Sequence, residues 1–281
     1  TLMRSSAASD VYKRQAFNQK DFDFSAFGTE LDGTFLEEIT LPDCATTLHN
    51  AAFYNCRKLK KLSVGTAISG IGSDEFMNDS QLEHLIIRGK DSEATGLPLI
   101  LERIAENITV SFCPNSSSSP ESIVFFPEYY EWLDEISPAH IFSRSIHGEG
   151  FRMRKSFENG ILNYRKYDSC LENALTVESP ESLCKIALNR LRWPSRLEGI
   201  FREKYENVIK KYMGTAFTLA VKDQDFPMLQ FICEHFSPDA SALASAIDQC
   251  IEKEWGEGNA FLIEAKHKSF SKKTFDFDLD F

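Results

Sequence analysis

A gapless repeat of 23 residues constrains this chain more than any other feature of it. Leu36, Leu59 and Leu82 stand 23 residues apart, as do Ile39, Leu62 and Leu85, and again Leu41, Val64 and Ile87. The step recurs from Leu48 to Ile71, from Phe53 to Phe76 and from Asn55 to Asn78. A period of this length belongs to a solenoid, because one unit cannot bury its apolar face alone and must stack on its neighbours. Within each unit the LxxLxL run alternates apolar and polar positions, which predicts a short strand with one buried face. Pro42 or Gly65 then turns the chain off the strand. Leu48 or Ile71, and Phe53 or Phe76, fill the interior on the return path. Asn55 and Asn78 are expected to satisfy turn backbone groups that stacking would otherwise bury unpaired.

The first unit, LEEITLPDCATTLHNAAFYNCRK over residues 36–58, resembles the BspA-like (treponemal) class of leucine-rich repeats, whose pattern is LxxLxLPxxxxxLxxxAFxxCxx. It keeps Pro42, Ala52, Phe53, Asn55 and Cys56. The second unit, 59–81, departs from the pattern with Gly65 for proline, Glu75 for alanine and Asp79 for cysteine. The resemblance covers about residues 31–88, with Phe22, Phe24, Phe27 and Leu31 as remnants of a preceding degenerate unit. It implies protein recognition or adhesion through the face of the stacked strands. On that face the expected partner-binding residues are Glu38 and Thr40, Lys61 and Ser63, and His84 and Ile86.

Downstream, Leu99, Ile100, Ile104 and Ile108 have helical spacing, so residues 97–110 read as a helix closing the solenoid, the whole module running over 16–113. Residues 114–121 read as a Ser-rich linker. A mixed connecting region follows over 122–178: a buried strand ended by Pro127, a short helix around Tyr130–Ile136, then short strands and turns over 138–170. From Ser179 the pattern is helical, with an N-cap followed by proline at the first position and a stop before Pro194. Two helix–turn–helix segments follow, and Pro227–His235 overlays Asn259–His267 at an offset of 32, with Phe231 on Ile263. AVKDQDFPMLQFICEH resembles an ankyrin unit, so 179–268 is expected to be ankyrin-like, although the TPLH turn is missing. Together with the ALNRLRWP helix, this combination is similar to leucine-rich repeat proteins of gut Firmicutes. The alternating TFDFDLDF closes an acidic aromatic tail over 269–281, readable as frayed or as a strand for a sheet edge. The expected fold class is α+β: a leucine-rich-repeat β-solenoid fragment followed by a mainly α-helical ankyrin-like region.

At the other end, SSAASDVYKRQ over residues 5–15 resembles a translated sequencing adapter, so 1–15 are set aside as non-native and the native chain is expected to extend further upstream. The formal net charge is −11. An acidic chain of this kind argues against a nucleic-acid partner. The run Arg144–Lys155, with interleaved aromatics, is the one local basic patch and reads as a solvated or partner-facing loop. Seven cysteines without a CxxC pair read as free, mostly buried thiols and lean towards a reducing, cytoplasmic compartment. There is no apolar run long enough to span a membrane.

No catalytic constellation emerges. The six histidines are scattered without HExxH spacing, there is no GxSxG elbow, and GTAISGIG lacks the GK[ST] of a phosphate loop. No cofactor or metal is implied. The chain is therefore expected to be a non-catalytic protein-recognition module, an intracellular scaffold or adaptor. The alternatives are a cell-surface adhesin, or a fragment of a larger enzyme or toxin whose catalytic domain lies upstream.

Overall fold

The computed structural model describes residues 21–22, 36–114, 119–136 and 141–275. The adapter-like segment 1–15, Phe24, Phe27, Leu31, the centre of the Ser-rich run at 115–118 and tail residues 276–281 lie outside the described residues. The chain divides into two compact units, Thr1–Glu178 and Ser179–Phe281.

The first unit is a β-solenoid. Its strands are β1 (Asp21–Phe22), β2 (Glu38–Thr40), β3 (Thr47–Leu48), β4 (Lys61–Gly65), β5 (Gly70–Ile71) and β6 (His84–Arg88). After helix α1 (Leu97–Leu101) come β7 (Ile108–Phe112) and β8 (Ser122–Phe126). The larger sheet has the order β2-β4-β6-β7-β8, parallel except for β8, and the smaller one β1-β3-β5 is parallel throughout. Ile39, Leu62, Leu85 and Val110 stand opposite one another across four strands, and all are buried. Phe53 and Phe76 stack with centroids 5.4 Å apart and planes at 13°. β1 continues the smaller ladder, with Phe22 opposite Leu48.

Two elements of this unit correct the sequence reading. The helix expected over 97–110 stops at Leu101, and Ile108–Phe112 is the fourth parallel strand. Ile100, Ile104 and Ile108 fit a helical period, but the β-branched run ITV has period two, and Ile108, Val110 and Phe112 point into the core. The helix expected around Tyr130–Ile136 is a strand, β9, pairing antiparallel with β10 (Ile141–His147) in a two-stranded hairpin. Pairing with a later segment overrode a local pattern that fits a helix equally well. The Ser-rich run joins β7 to β8, neighbours in one sheet.

The solenoid end is closed by later helices: α2 (Gly150–Arg154), then, after the small hairpin β11 (Phe157–Glu158) and β12 (Ile161–Leu162), α3 (Tyr164–Ser169) and α4 (Leu171–Val177). The Tyr167 hydroxyl donates to the Phe125 carbonyl (2.5 Å) and its ring meets Phe126 edge-on. Arg154, 3% exposed, donates to the carbonyls of Pro127 (2.5 Å), Gly150 (3.1 Å) and Glu106 (2.6 Å) and lies over Tyr129. Burial pulls its guanidinium down to about 10, still charged at neutral pH.

The second unit is helical: α5 (Pro180–Arg192), α6 (Gly199–Lys211), α7 (Met213–Lys222), α8 (Phe226–Phe236), α9 (Ala240–Glu252) and α10 (Gly256–Phe275). The hairpins stack in layers, α5 on α7 on α9 and α6 on α8 on α10. Ser179, Asp225 and Asp239 cap α5, α8 and α9 by accepting from the amides of Ser182 (3.1 Å), Met228 (2.8 Å) and Ala242 (2.7 Å). The α7–α8 and α9–α10 turns are built alike. Gln224 (φ 49°) and Glu254 (φ 53°) take left-handed backbone, and the Asp225 and Trp255 amides reach back to the Ala220 and Cys250 carbonyls, each at 2.9 Å. These turns set the internal offset at 30 residues, not 32. Ile232 then overlays Leu262, both fully buried, whereas Ile263 is 41% exposed.

In the solenoid, Asn55 (φ 62°) and Asn78 (φ 70°) are also left-handed, and the Asn78 amide donates to the Asn55 side-chain carbonyl at 2.7 Å. The asparagines therefore pair with each other, and the turn selects them because asparagine tolerates this backbone. Asn55→Ala and Asn78→Ala are each expected to lower stability by about 1–2 kcal/mol, and the glycine variants by less. Urea denaturation midpoints check the ranking.

Candidate binding surface

The parallel register determines which side chains share the outward face of the larger sheet. Because side chains alternate, the residues between the core columns form two rungs. Glu38, Lys61, His84 and Thr109 lie side by side on the first, and Thr40, Ser63, Ile86 and Ser111 on the second. All six residues expected from the sequence to contact a partner thus stand on adjacent strands.

Their environments differ. Glu38, Thr40 and His84 are exposed, while Lys61 and Ile86 are half-buried. Lys61 reaches Glu38 at 3.6 Å, and Lys60 reaches Glu37 at 3.4 Å one position earlier. Ser63 is only 6% exposed, and its hydroxyl accepts from Arg88 Nη1 at 2.8 Å. Ser63 is therefore covered by another side chain of the same face.

Arg88 was not singled out by the sequence. From the end of β6 it spans three turns, donating to Ser63 Oγ, to the Leu41 carbonyl (2.5 Å) and to Asp43 Oδ1 (2.5 and 2.8 Å). The signal was present only once the stacking was known: two periods back from Arg88 is Pro42, beside Asp43. Gly65 lies beneath this staple, where an added Cβ would stand 2.9 Å from the Asp43 Cα. This explains why the second unit has glycine at that corner.

On this face Lys61 pairs with Glu38 and Arg88 with Asp43, so it presents hydroxyls, an imidazole and the Ile86 side chain in place of a field of one sign. That composition suits a protein surface better than a phosphate backbone. Burial makes most of the thiols poor nucleophiles. All seven cysteines are free, and burial pushes Cys56, Cys184 and Cys233 up to about 12 and Cys170 to about 11. Burial also raises Cys113, against the opposing charge of Lys61. Among the described residues no three His, Cys, Asp or Glu side chains are grouped to hold a metal ion, and no helix is long and apolar enough to cross a membrane. A shallow open depression of about 400 Å³ lies along β3 and β5, with His49 and Asn50 at its edge. The expected basic run has little free charge: Arg154 is buried, and Arg144, Arg152 and Lys155 pair with Glu131, Glu149 and Glu102. On the β9–β10 hairpin Tyr130, Trp132 and Leu133 are more than half exposed.

Residues 28–95 match the family model of the BspA type leucine rich repeat region (6 copies). The solenoid is of the leucine-rich-repeat kind. Neither the curated proteins nor the solved structures contain a match to the chain.

The leucine-rich-repeat staple and the surface ion pairs separate cleanly by experiment. Arg88→Ala removes hydrogen bonds from a guanidinium whose side chain is 19% exposed, and is expected to cost about 2 kcal/mol. Lys60→Ala breaks a pair more than half exposed on both sides and is expected to change stability by less than about 0.5 kcal/mol. Denaturant unfolding of the two variants measures the contrast.

Proposed function

We propose that the chain is a non-catalytic protein-recognition module whose leucine-rich repeats bind a protein partner through the outward face of β2, β4, β6 and β7. The observation that carries this reading is the lateral alignment of the two outward rungs, with their charges paired internally. Such a face meets a partner by shape, hydroxyl hydrogen bonds and a small apolar centre at Ile86. Thr40, His84, Ile86 and Thr109 are the contact residues, with Glu38 and Lys61 at the rim. Ser63 contributes indirectly, by holding Arg88.

The helical unit fits an ankyrin-like reading. Support comes from its layered hairpins and from the 30-residue repetition of the turns at Gln224 and Glu254. Two stacked-repeat units in one chain suit a scaffold that holds a partner on each. An intracellular setting is supported by seven cysteines outside any disulfide, Cys44 exposed among them. The match to BspA type repeats favours a second reading, display at a cell surface as an adhesin. Thiol counting on protein from its native source separates the two: seven reduced cysteines support the intracellular scaffold, and disulfides support display.

Ile86→Asp and His84→Ala are expected to leave the fold intact, because both side chains point outward. Ile86→Asp is expected to weaken partner binding by at least about tenfold. Affinity capture with wild-type and variant chains, followed by titration of the retained protein, tests this. Retention unaffected by both substitutions would place the binding face elsewhere.

A further inference from the structure

The second solenoid turn differs from the first at two core positions. Where the first turn packs Ala52 (1% exposed) and Cys56 (2%), the second places Glu75 (0%) and Asp79 (6%). None of the four carboxylate oxygens has a hydrogen-bond partner. Other buried acids in this unit are engaged: Asp91 accepts from the Tyr164 hydroxyl at 2.8 Å, and Glu149 pairs with Arg152 and accepts from Asn173. Among the described residues, Glu75 and Asp79 are thus the buried acids with both carboxylate oxygens unpartnered.

We propose that this turn is a built-in pH-sensitive element, closed while Glu75 and Asp79 are neutral and loosened when they ionise inside the core. An isolated carboxylate out of water is far costlier than a neutral carboxylic acid, so the native chain holds these protons more tightly than the unfolded chain does. Little around them offsets that. Glu75 faces its own backbone amide, Asp74 and the exposed Arg103. Asp79 faces the Cys56 backbone amide and thiol, and Glu106 adds charge of the same sign. Burial raises both acids, Asp79 to about 7.

The direction follows from proton linkage. Above the ordinary aspartate value the unfolded chain has released its proton while native Asp79 still holds one, so stability falls as pH rises. The loss continues until Asp79 itself ionises near 7. The turn is therefore tightest in mild acid. Glu178, raised by burial and by Glu149 and Glu128, acts in the same direction when the whole unit unfolds, but it accepts from the Glu149 amide outside residues 70–88 and so does not enter their local opening. Glu158, Glu181 and Glu264, each lowered by a lysine, act in the opposite direction at more acid pH, below the test range.

Hydrogen–deuterium exchange on the full chain, corrected for intrinsic exchange rates, tests the proposal at about pH 5.5 and about pH 8. Opening of residues 70–88 is expected to be at least about tenfold more frequent at the higher pH. E75Q/D79N is expected to abolish that difference. E75A/D79C restores the pair that already packs in the first turn, so it provides a second variant should the amides fail to fold. It is expected to be flat with pH and better protected than wild type at about pH 8. A wild-type profile that does not change with pH overturns the proposal, as does a pH difference that survives in a folded double variant.

Discussion

The parallel ladder between successive turns is the constraint on which the solenoid depends. Lys61 must stand opposite both Glu38 and His84, and Leu62 opposite both Ile39 and Leu85. A turn of the wrong length would carry core residues to the solvent face, because side chains alternate with period two. The invariant step explains the stacked phenylalanines, and it also places left-handed backbone at Ala51 and Asp74 and at Asn55 and Asn78, 23 residues apart in each case. Backbone groups of the return path are satisfied across the same step, as in the Phe53 amide donating to the Glu75 carbonyl at 2.9 Å.

Burial of charge separates two kinds of position in this framework. Arg154 is buried, but its two terminal nitrogens donate to three carbonyls around the end of the solenoid, which offsets part of the cost of desolvation. Arg88 does the same near the surface and ties three turns together. Glu75 and Asp79 have no such compensation. A buried polar group without a partner costs about 1–3 kcal/mol. Two such groups in one turn concentrate the weakness of the solenoid between β4 and β6, beneath the proposed binding face.

The outward face and the helical unit express one principle in two geometries. Both stack short units that cannot stand alone. In the helical unit the repeated feature is a turn, with a left-handed residue and an amide returning five residues back to a helix carbonyl. In the solenoid it is a strand rung.

The sequence by itself determined the period, the core columns, the strands in which they lie and the six outward residues, because a solenoid contact is a fixed offset along the chain. It also carried α5, whose cap at Ser179 and proline at the first position are local signals. It could not choose between helix and strand at 104–112 and 130–136, where the apolar spacing fits both and pairing with a remote segment decides. Nor could it reveal that Arg88 covers Ser63, or that the cap of the solenoid comes from residues 150–177. Those contacts join positions with no common period. Only tertiary structure decided them, because side-chain reach and burial depend on what the whole stack brings together.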